Sequence, residues 1–244
     1  ESAGAGMTSQ DAPNFGANLP QASPLQGVGS TGFVPQNTDG APGTAFENPA
    51  TYFDVSLTRP GTTTLSGGGA FTPVEIDQLT LMNSGATLSV EAGAELTSLI
   101  GINVLLGTLD VRADSAVSTP ILINDLGIVT GSGVFATDVF LNRGGLVDPA
   151  SDPAAFGGAN PIAPGGEIFI LGNYVQGAQG VTKLDVLAAS GTAYAMDSLF
   201  ITGHALLDGA LWVTADPAVA TRGSTYTGIT ALGGVTGAFS ETMT

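Results

Sequence analysis

Short apolar runs interrupted by an Asn and a Gly recur along the middle of the chain. Each unit has an apolar run, an Asn, a Gly two to four residues later, and a second apolar run. Four imperfect copies cover residues 79–90, 100–111, 121–129 and 139–147. Their Asn residues are 20, 21 and 18 positions apart. A period near twenty, with no room for a helix, indicates a coil that stacks on itself.

These repeats predict an all-β fold, a right-handed parallel β-helix (a solenoid) with about 20 residues per layer. A strand of four or five residues buries too little apolar surface to be stable alone, so the copies must stack. Stacked strands pair in parallel about 4.8 Å apart, and crossovers between parallel strands are strongly right-handed. A Greek-key β-sandwich is the alternative, although its strands need not repeat.

The aligned copies predict two columns of stacked side chains. One is a structural ladder at a corner, because stacked amides bond to one another and Asn tolerates a tight turn. Its members are Asn83, Asn103, Asn124 and Asn142. The other is an inward aliphatic column of Leu88, Leu109, Ile128 and Leu146.

The pattern divides the chain into three regions. Residues 1–50 have no period and are rich in Gly, Pro, Ala, Asn, Gln and Ser, which predicts an extended N-terminal arm. Residues 51–192 carry the layers, interrupted by a Pro- and Gly-rich loop at 149–166, and residues 193–244 hold the last layers and a C-terminal cap. The arm's isolated apolar residues need a surface on which to bury. The expected assembly anchors are Phe33, Val34 and Phe46.

Composition and charge exclude several classes of function. The 244-residue chain has no Cys, which rules out disulfides, thiol catalysis and cysteine metal ligands. Its net charge of −16, with only five Lys and Arg, argues against binding to nucleic acid or to anionic membranes. No apolar stretch is long enough for a membrane-spanning helix, so we expect no membrane insertion. Few basic residues among many Gly, Thr, Ser and Asn favour an exported protein.

The last third of the chain carries three motifs in order. Residues 172–176 read "Gly-Asn-Tyr-x-Gln", and residues 197–213 alternate Gly and apolar residues after an Asp. Residues 226–240 contain "Gly-Gly-Val-x-Gly-x-Phe". This order resembles the C-terminal end of autotransporter passenger domains. The resemblance implies a right-handed parallel β-helix exported to the surface of a Gram-negative cell, with a C-terminal cap. Leu232 and Phe239 are expected against the stack end, because an open end exposes unpaired backbone groups. The family's outer-membrane barrel does not follow Phe239, so we expect that it was cleaved off or that another export route was used.

Candidate catalytic residues are scattered. Parallel β-helix enzymes need clustered carboxylates with a Lys or Arg that stabilises developing charge. Glu91 with Arg112, and Asp125 with Arg143, are interpreted as surface ion pairs of little energy. No copy joins two acids to a base, and the calcium-binding nonapeptide is absent. We therefore expect no catalytic residue and no cofactor, with at most weak Ca²⁺ binding. The acids considered are Asp110, Asp114, Asp125, Asp138, Asp148 and Asp152.

The sequence thus predicts a non-catalytic extracellular structural protein, a self-assembling surface or filament subunit linked head to tail through its N-terminal arm. Its partner is a second copy of the same chain, with surface polysaccharide as a further candidate. Two alternatives stay open: a passenger stalk or adhesin that binds a host or polysaccharide surface, and a polysaccharide lyase or hydrolase. An ordered arm favours a subunit over a stalk. Clustered carboxylates beside a basic residue in a groove favour an enzyme.

Overall fold

The computed structural model describes residues 53–67, 74–149, 165–188, 194–218 and 225–243. These residues form strands and turns without any helix, so none of them forms a helix that is long and apolar enough to cross a membrane. The first ten strands are β1 (Asp54–Leu57), β2 (Gly61–Leu65), β3 (Val74–Leu81), β4 (Ala86–Val90), β5 (Glu95–Val104), β6 (Thr108–Val111), β7 (Ala116–Asn124), β8 (Ile128–Gly131), β9 (Val134–Asn142) and β10 (Leu146–Pro149). The other nine are β11 (Glu167–Gln176), β12 (Val181–Ala188), β13 (Tyr194–Met196), β14 (Ser198–Ile201), β15 (Ala205–Leu207), β16 (Ala210–Ala215), β17 (Ile229–Ala231), β18 (Val235–Gly237) and β19 (Glu241–Met243).

The chain alternates between two sheets of stacked parallel strands, as the period near twenty predicts. The first sheet has the order β1-β3-β5-β7-β9-β11-β14-β17, with β15 on β11 and β18 on β15. The second has the order β19-β16-β12-β10-β8-β6-β4-β2. The pairing is parallel throughout both orders, and only β13 pairs antiparallel, with β12. The all-β solenoid of stacked layers is therefore confirmed.

Glycines at the corners let neighbouring layers approach. Gly107, the glycine of the second sequence copy, has a φ of +81°, a left-handed conformation that disfavours other residues. A Cβ there would lie 2.5 Å from the carbonyl oxygen of Asn83 and 2.6 Å from that of Ala86 in the preceding layer. The repeated Gly thus serves both the turn and the close stacking of backbones.

Inward columns of aliphatic side chains form the core between the two sheets. Leu88 pairs with Leu109, as predicted, and Leu109 pairs with Val129 rather than with Ile128. Val129 in turn pairs with Val147, so the prediction of Ile128 and Leu146 in this column was wrong by one residue. Because side chains alternate between the faces of a strand, this shift puts Ile128 outside, with 38% of its surface exposed.

Aromatic side chains fill the middle of the core. The ring centroids of Phe135 and Phe140 are 5.6 Å apart, and those of Phe140 and Tyr174 are 5.5 Å apart at an angle of 76°. All three side chains are fully buried. The edge-to-face contact of Phe140 with Tyr174 adds to the free energy gained from burial.

The predicted C-terminal cap is wrong for the described residues. In the first sheet β14 pairs with β11 and β17 with β14, and in the second β16 pairs with β12 and β19 with β16, all in parallel. The strands β14 to β19 therefore extend the stack and do not fold across its end. Most of the predicted loop at 149–166 lies outside the described residues, between the end of β10 and the start of β11.

Candidate functional site

Side-chain amides from successive layers bond to one another inside the coil. Asn124 and Asn142 occupy the same register at the ends of β7 and β9, and both are fully buried. Asn124 Nδ2 donates to Asn142 Oδ1 at 3.2 Å and to the Leu146 carbonyl at 3.1 Å. Asn142 Nδ2 donates to the Val181 carbonyl at 3.1 Å. Each amide therefore stabilises the start of a strand in the following layer.

Gln176 continues this ladder in the layer after Asn142, with which it pairs. Its Nε2 donates to the Ala210 carbonyl at 3.0 Å, and Ala210 pairs with Val181. The Tyr174 hydroxyl donates to Gln176 Oε1 at 2.9 Å and lies 3.0 Å from the Thr182 hydroxyl. Burial raises the pKa of Tyr174 to about 12, so this hydroxyl stays protonated and acts as a structural donor.

Asn83 and Asn103 do not belong to the ladder, and their assignment to it was wrong. Asn103 pairs with Ile123, one position away from Asn124, because β5 has an extra residue at an irregularity between Thr97 and Ile102. Asn83 lies in the turn after β3, where its Oδ1 accepts from Gly85 N–H at 2.9 Å. The ladder positions of those layers hold Leu81 and Val104.

A cluster of three carboxylates and one amine lies where β10 and β12 adjoin. Lys183 Nζ is 3.2 Å from Asp148 Oδ1 and 2.9 Å from Asp185 Oδ2. Asp148, Asp185 and Asp197 each offer a carboxylate oxygen within 4.8 Å of the others. The two oxygens of Asp197 accept from the backbone N–H groups of Gly166 at 2.7 Å and of Asp185 at 2.9 Å.

Burial shapes the electrostatics of this cluster. It raises the pKa of Asp197 to about 6, although two backbone hydrogen bonds oppose the shift and the charges of Asp185 and Asp148 add to it. Burial also raises the pKa of Asp148 above its ordinary value, against the opposing charge of Lys183. For Lys183, burial lowers the pKa, but the hydrogen bond from Lys183 to Asp185 and the charge of Asp148 together raise it above its ordinary value.

The cluster binds parts of the chain to one another. Lys183 forms ion pairs with two carboxylates on adjacent strands, and Asp197 connects the start of β11 and the middle of β12 to the bend before β14. Of the three acids in this cluster, sequence reasoning considered only Asp148 as a candidate. The other members of the cluster come from positions 35 to 49 residues later, which no local motif could have joined to Asp148. Each of the four residues has a polar partner within the protein, and Asp185 Oδ1 is buried without a hydrogen-bond partner.

An apolar cavity of about 260 Å³ lies at the N-terminal end of the stack, between β1 and β2. Only apolar surface faces it. The residues around its mouth are only partly buried although they occupy inward positions. Among the described residues no strand pairs with the outer edges of β1 and β2. Its lining includes Val55, Leu57, Leu65, Val74, Ile76 and Leu88.

A second cavity of about 450 Å³ lies near the other end of the described stack. Phe239 lines it and is half-buried against the core. Leu232 lies in the turn after β17 with 67% of its surface exposed, so its predicted contact with the stack end is wrong. Other lining residues are Leu184, Val186, Leu211, Val213 and Ile229.

The remaining predicted site residues divide into surface positions and positions outside the described part of the chain. Arg143 pairs with Asp125 at 3.1 Å, as predicted, whereas Arg112 pairs with Asp110 at 2.8 Å and Glu91 accepts from the Ser89 hydroxyl. The predicted anchors Phe33, Val34 and Phe46 lie outside the described residues.

Comparisons with known proteins add no assignment: no protein-family model, curated protein or solved structure matches this chain.

Proposed function

We propose that this protein is a non-catalytic structural subunit that assembles head to tail at a cell surface. The observation that supports the proposal best is that no strand of the described residues pairs with the outer strands at either end of the stack. Parallel layering runs without a covering element from β1 and β2 to β17 and β19 among the described residues, and apolar surface lines a cavity near each end. Edges of this kind recruit further strands. A head-to-tail contact does not close on itself and therefore generates a filament.

The N-terminal arm supplies the link in this proposal. Its attachment point is Phe53, whose backbone N–H donates to Asp77 Oδ2 at 2.7 Å at the N-terminal edge of the first sheet. In a head-to-tail contact this edge faces the last strands of the neighbouring copy. The arm adds a strand there, and the backbone hydrogen bonds of that strand provide affinity. Phe33, Val34 and Phe46 are the proposed anchors on the neighbour, because buried large apolar groups dominate such contacts.

The finer features of the proposal follow from the sequence resemblance and composition. The coil is right-handed, as parallel crossovers are. The protein is exported to the surface of a Gram-negative cell, in keeping with the autotransporter-like motifs. Its acidic charge of −16 keeps separate filaments apart, since like-charged surfaces repel.

Electron microscopy of the full chain tests the proposal. We expect filaments whose number grows with protein concentration. Removal of residues 1–45, or the double change Phe33→Ser and Val34→Ser, should give folded monomers with the same far-UV circular dichroism. Phe15→Ser is the matched control, because it changes an apolar arm residue that is not a proposed anchor. Filaments that persist without residues 1–45 contradict the proposal.

A further inference from the structure

A groove of about 440 Å³ lies on the outer face of the first sheet, where its strands are kinked. At each kink two consecutive side chains face outward between buried ones, as Pro120 and Ile121 do in β7. The groove crosses β5, β7, β9 and β11, which is three strand spacings or about 14 Å along the coil. Each of these strands is described along its whole length. The volume lies within the range of about 300–1,000 Å³ that is typical of ligand sites.

Buried hydroxyls form the floor of this groove. Ser98, Thr119 and Thr137 are at most 5% exposed, and each donates to a backbone carbonyl two or three residues later in its own strand. These local bonds stabilise the kinks. The backbone of the floor belongs to interior strands that have parallel neighbours on both sides. The groove therefore offers no free strand edge to which an extended peptide could add.

The walls carry polar groups that the fold does not use. The hydroxyls of Thr97 and Ser118, which are in register on β5 and β7, have no hydrogen-bond partner among the described residues. The exposed Asp138 carboxylate has no partner there either. Apolar surface lies beside these groups, since Leu99 is 40% and Leu171 47% exposed. Exposed apolar side chains among free polar groups are typical of a ligand-binding groove.

The chemistry of the walls selects the class of ligand. A sugar ring has apolar C–H faces, and its hydroxyls both donate and accept, which matches free hydroxyls beside aliphatic side chains. An anionic ligand is disfavoured, because Asp138 is the only charged residue among the described lining residues and the whole chain carries a charge of −16.

We propose that this groove binds a segment of a neutral polysaccharide that lies along the long axis of the coil. Thr97 and Ser118 bond to sugar hydroxyls, and Asp138 accepts from another. Leu99 and Leu171 pack against ring faces on β5 and β11, at the two ends of the groove. The groove lies on the side of the coil, so this binding needs one chain only and is independent of head-to-tail assembly.

Saturation-transfer NMR of the full chain with cellopentaose and maltopentaose tests the proposal. Pentagalacturonate is the anionic comparison. We expect saturation transfer to at least one neutral pentasaccharide and none to pentagalacturonate. Two results overturn the proposal: no transfer to either neutral sugar at concentrations of up to about 10 mM, or stronger transfer to pentagalacturonate. The measurement observes the sugar, so it gives the same result whether or not the chains form filaments.

A pair of outward leucines locates the binding. Ser118→Leu with Ala136→Leu narrows the middle of the groove, because these two residues are in register on β7 and β9. We expect at least about a tenfold loss of affinity for the neutral sugar, since the change removes a hydroxyl and fills space.

Thr87→Leu with Thr108→Leu is the matched control for this pair. These residues are in register on the outer face of the second sheet, and affinity should stay within about twofold. Far-UV circular dichroism checks that both variants fold. Equal affinities for the two double variants overturn the assignment of the groove.

Tetralysine tests whether the groove is instead a site for a basic peptide. It is the natural probe for this alternative, because the uncommitted charge in the groove is the Asp138 carboxylate. We expect tetralysine at equal concentration to leave the saturation transfer to the neutral sugar unchanged. Displacement of the sugar overturns the proposal in favour of a basic peptide.

Discussion

Asn124 donates its side-chain amide to Asn142 Oδ1 across one layer of the coil, at 3.2 Å and without solvent contact. The same column is apolar in the two preceding layers, where Leu81 and Val104 occupy it. The interior thus changes from aliphatic to amide contacts partway along the stack. Since stacked amides bond only when their layers are in register, the ladder fixes the register of β7, β9 and β11.

Replacing Asn124 by Ala should destabilise the fold by about 1–3 kcal/mol, because the Leu146 carbonyl and Asn142 Oδ1 both lose a donor inside the protein. Urea unfolding measures this change. Asn103→Ala is the matched control, and we expect a cost within about 0.5 kcal/mol because Asn103 lies outside the ladder on the outer face. Equal costs for the two variants contradict the assignment.

Gly145 leaves room for the Asn124 amide. A Cβ at Gly145 would lie 2.3 Å from Asn124 Nδ2 and 2.4 Å from its Cγ and Oδ1. Gly145→Ala should therefore cost about 1–3 kcal/mol. The same change in an Asn124→Ala background should cost clearly less, since the obstructing side chain is gone. A double-mutant cycle measures this coupling, and strictly additive free energies would refute the steric explanation.

The sequence predicts this ladder in part. The Asn-Gly period identifies Asn124 and Asn142, because β7 and β9 have equal lengths. It misplaces Asn103 because β5 contains one extra residue. Thr97 pairs with Ser118 and Ile102 with Leu122, but Ile102 is five positions after Thr97 whereas Leu122 is four positions after Ser118. An extra residue of this kind leaves the period nearly unchanged but reverses which side chains face inward. Gln176 was missed because the repeat pattern of an apolar run followed by Asn points to Asn173 in this layer. The ladder residue is instead Gln176, the last residue of β11.

Phe140→Ala should destabilise the fold by about 3–5 kcal/mol, because this fully buried ring contacts both Phe135 and Tyr174 and its loss leaves a cavity. Phe169→Ala is the comparison. Phe169 is also paired with a ring, Phe200 at 5.7 Å, but lies on the outer face and is only partly buried. Its loss should cost much less. Thermal and urea unfolding compare the two variants, and equal costs would place Phe169 in the core.

The pKa of Asp197 makes stability depend on pH. Its folded value of about 6 is above its ordinary value of 3.8, so the folded state binds the proton more tightly than the unfolded state does. The contribution of Asp197 to stability therefore falls as the pH rises from about 4 to about 6, and stays low above that window. Urea unfolding across this window should show a weaker pH dependence in Asp197→Asn than in wild type. A carboxyl resonance of Asp197 that titrates near 4 would contradict this prediction.

The ends of the stack and the Lys183 cluster lay beyond sequence reasoning for one physical reason. Asp148 lies on a strand adjacent to Lys183 but 35 residues or more before the other members in the sequence, and no single repeat encodes which element lies at an end of the stack. Phe239 packs against the core beside the last strands, whereas Leu232 follows β17 directly and turns outward.

The stacking also determines how this molecule responds to force. The interlayer hydrogen bonds run along the long axis of the coil, so tension applied between its two ends loads successive layers in series. Each layer touches only its neighbours, and the layer with the fewest contacts therefore yields first. A chain stretched in optical tweezers should lengthen in steps of roughly 60 Å, the contour of one released layer. A single step for the whole stack would contradict the expectation that the layers unfold one at a time.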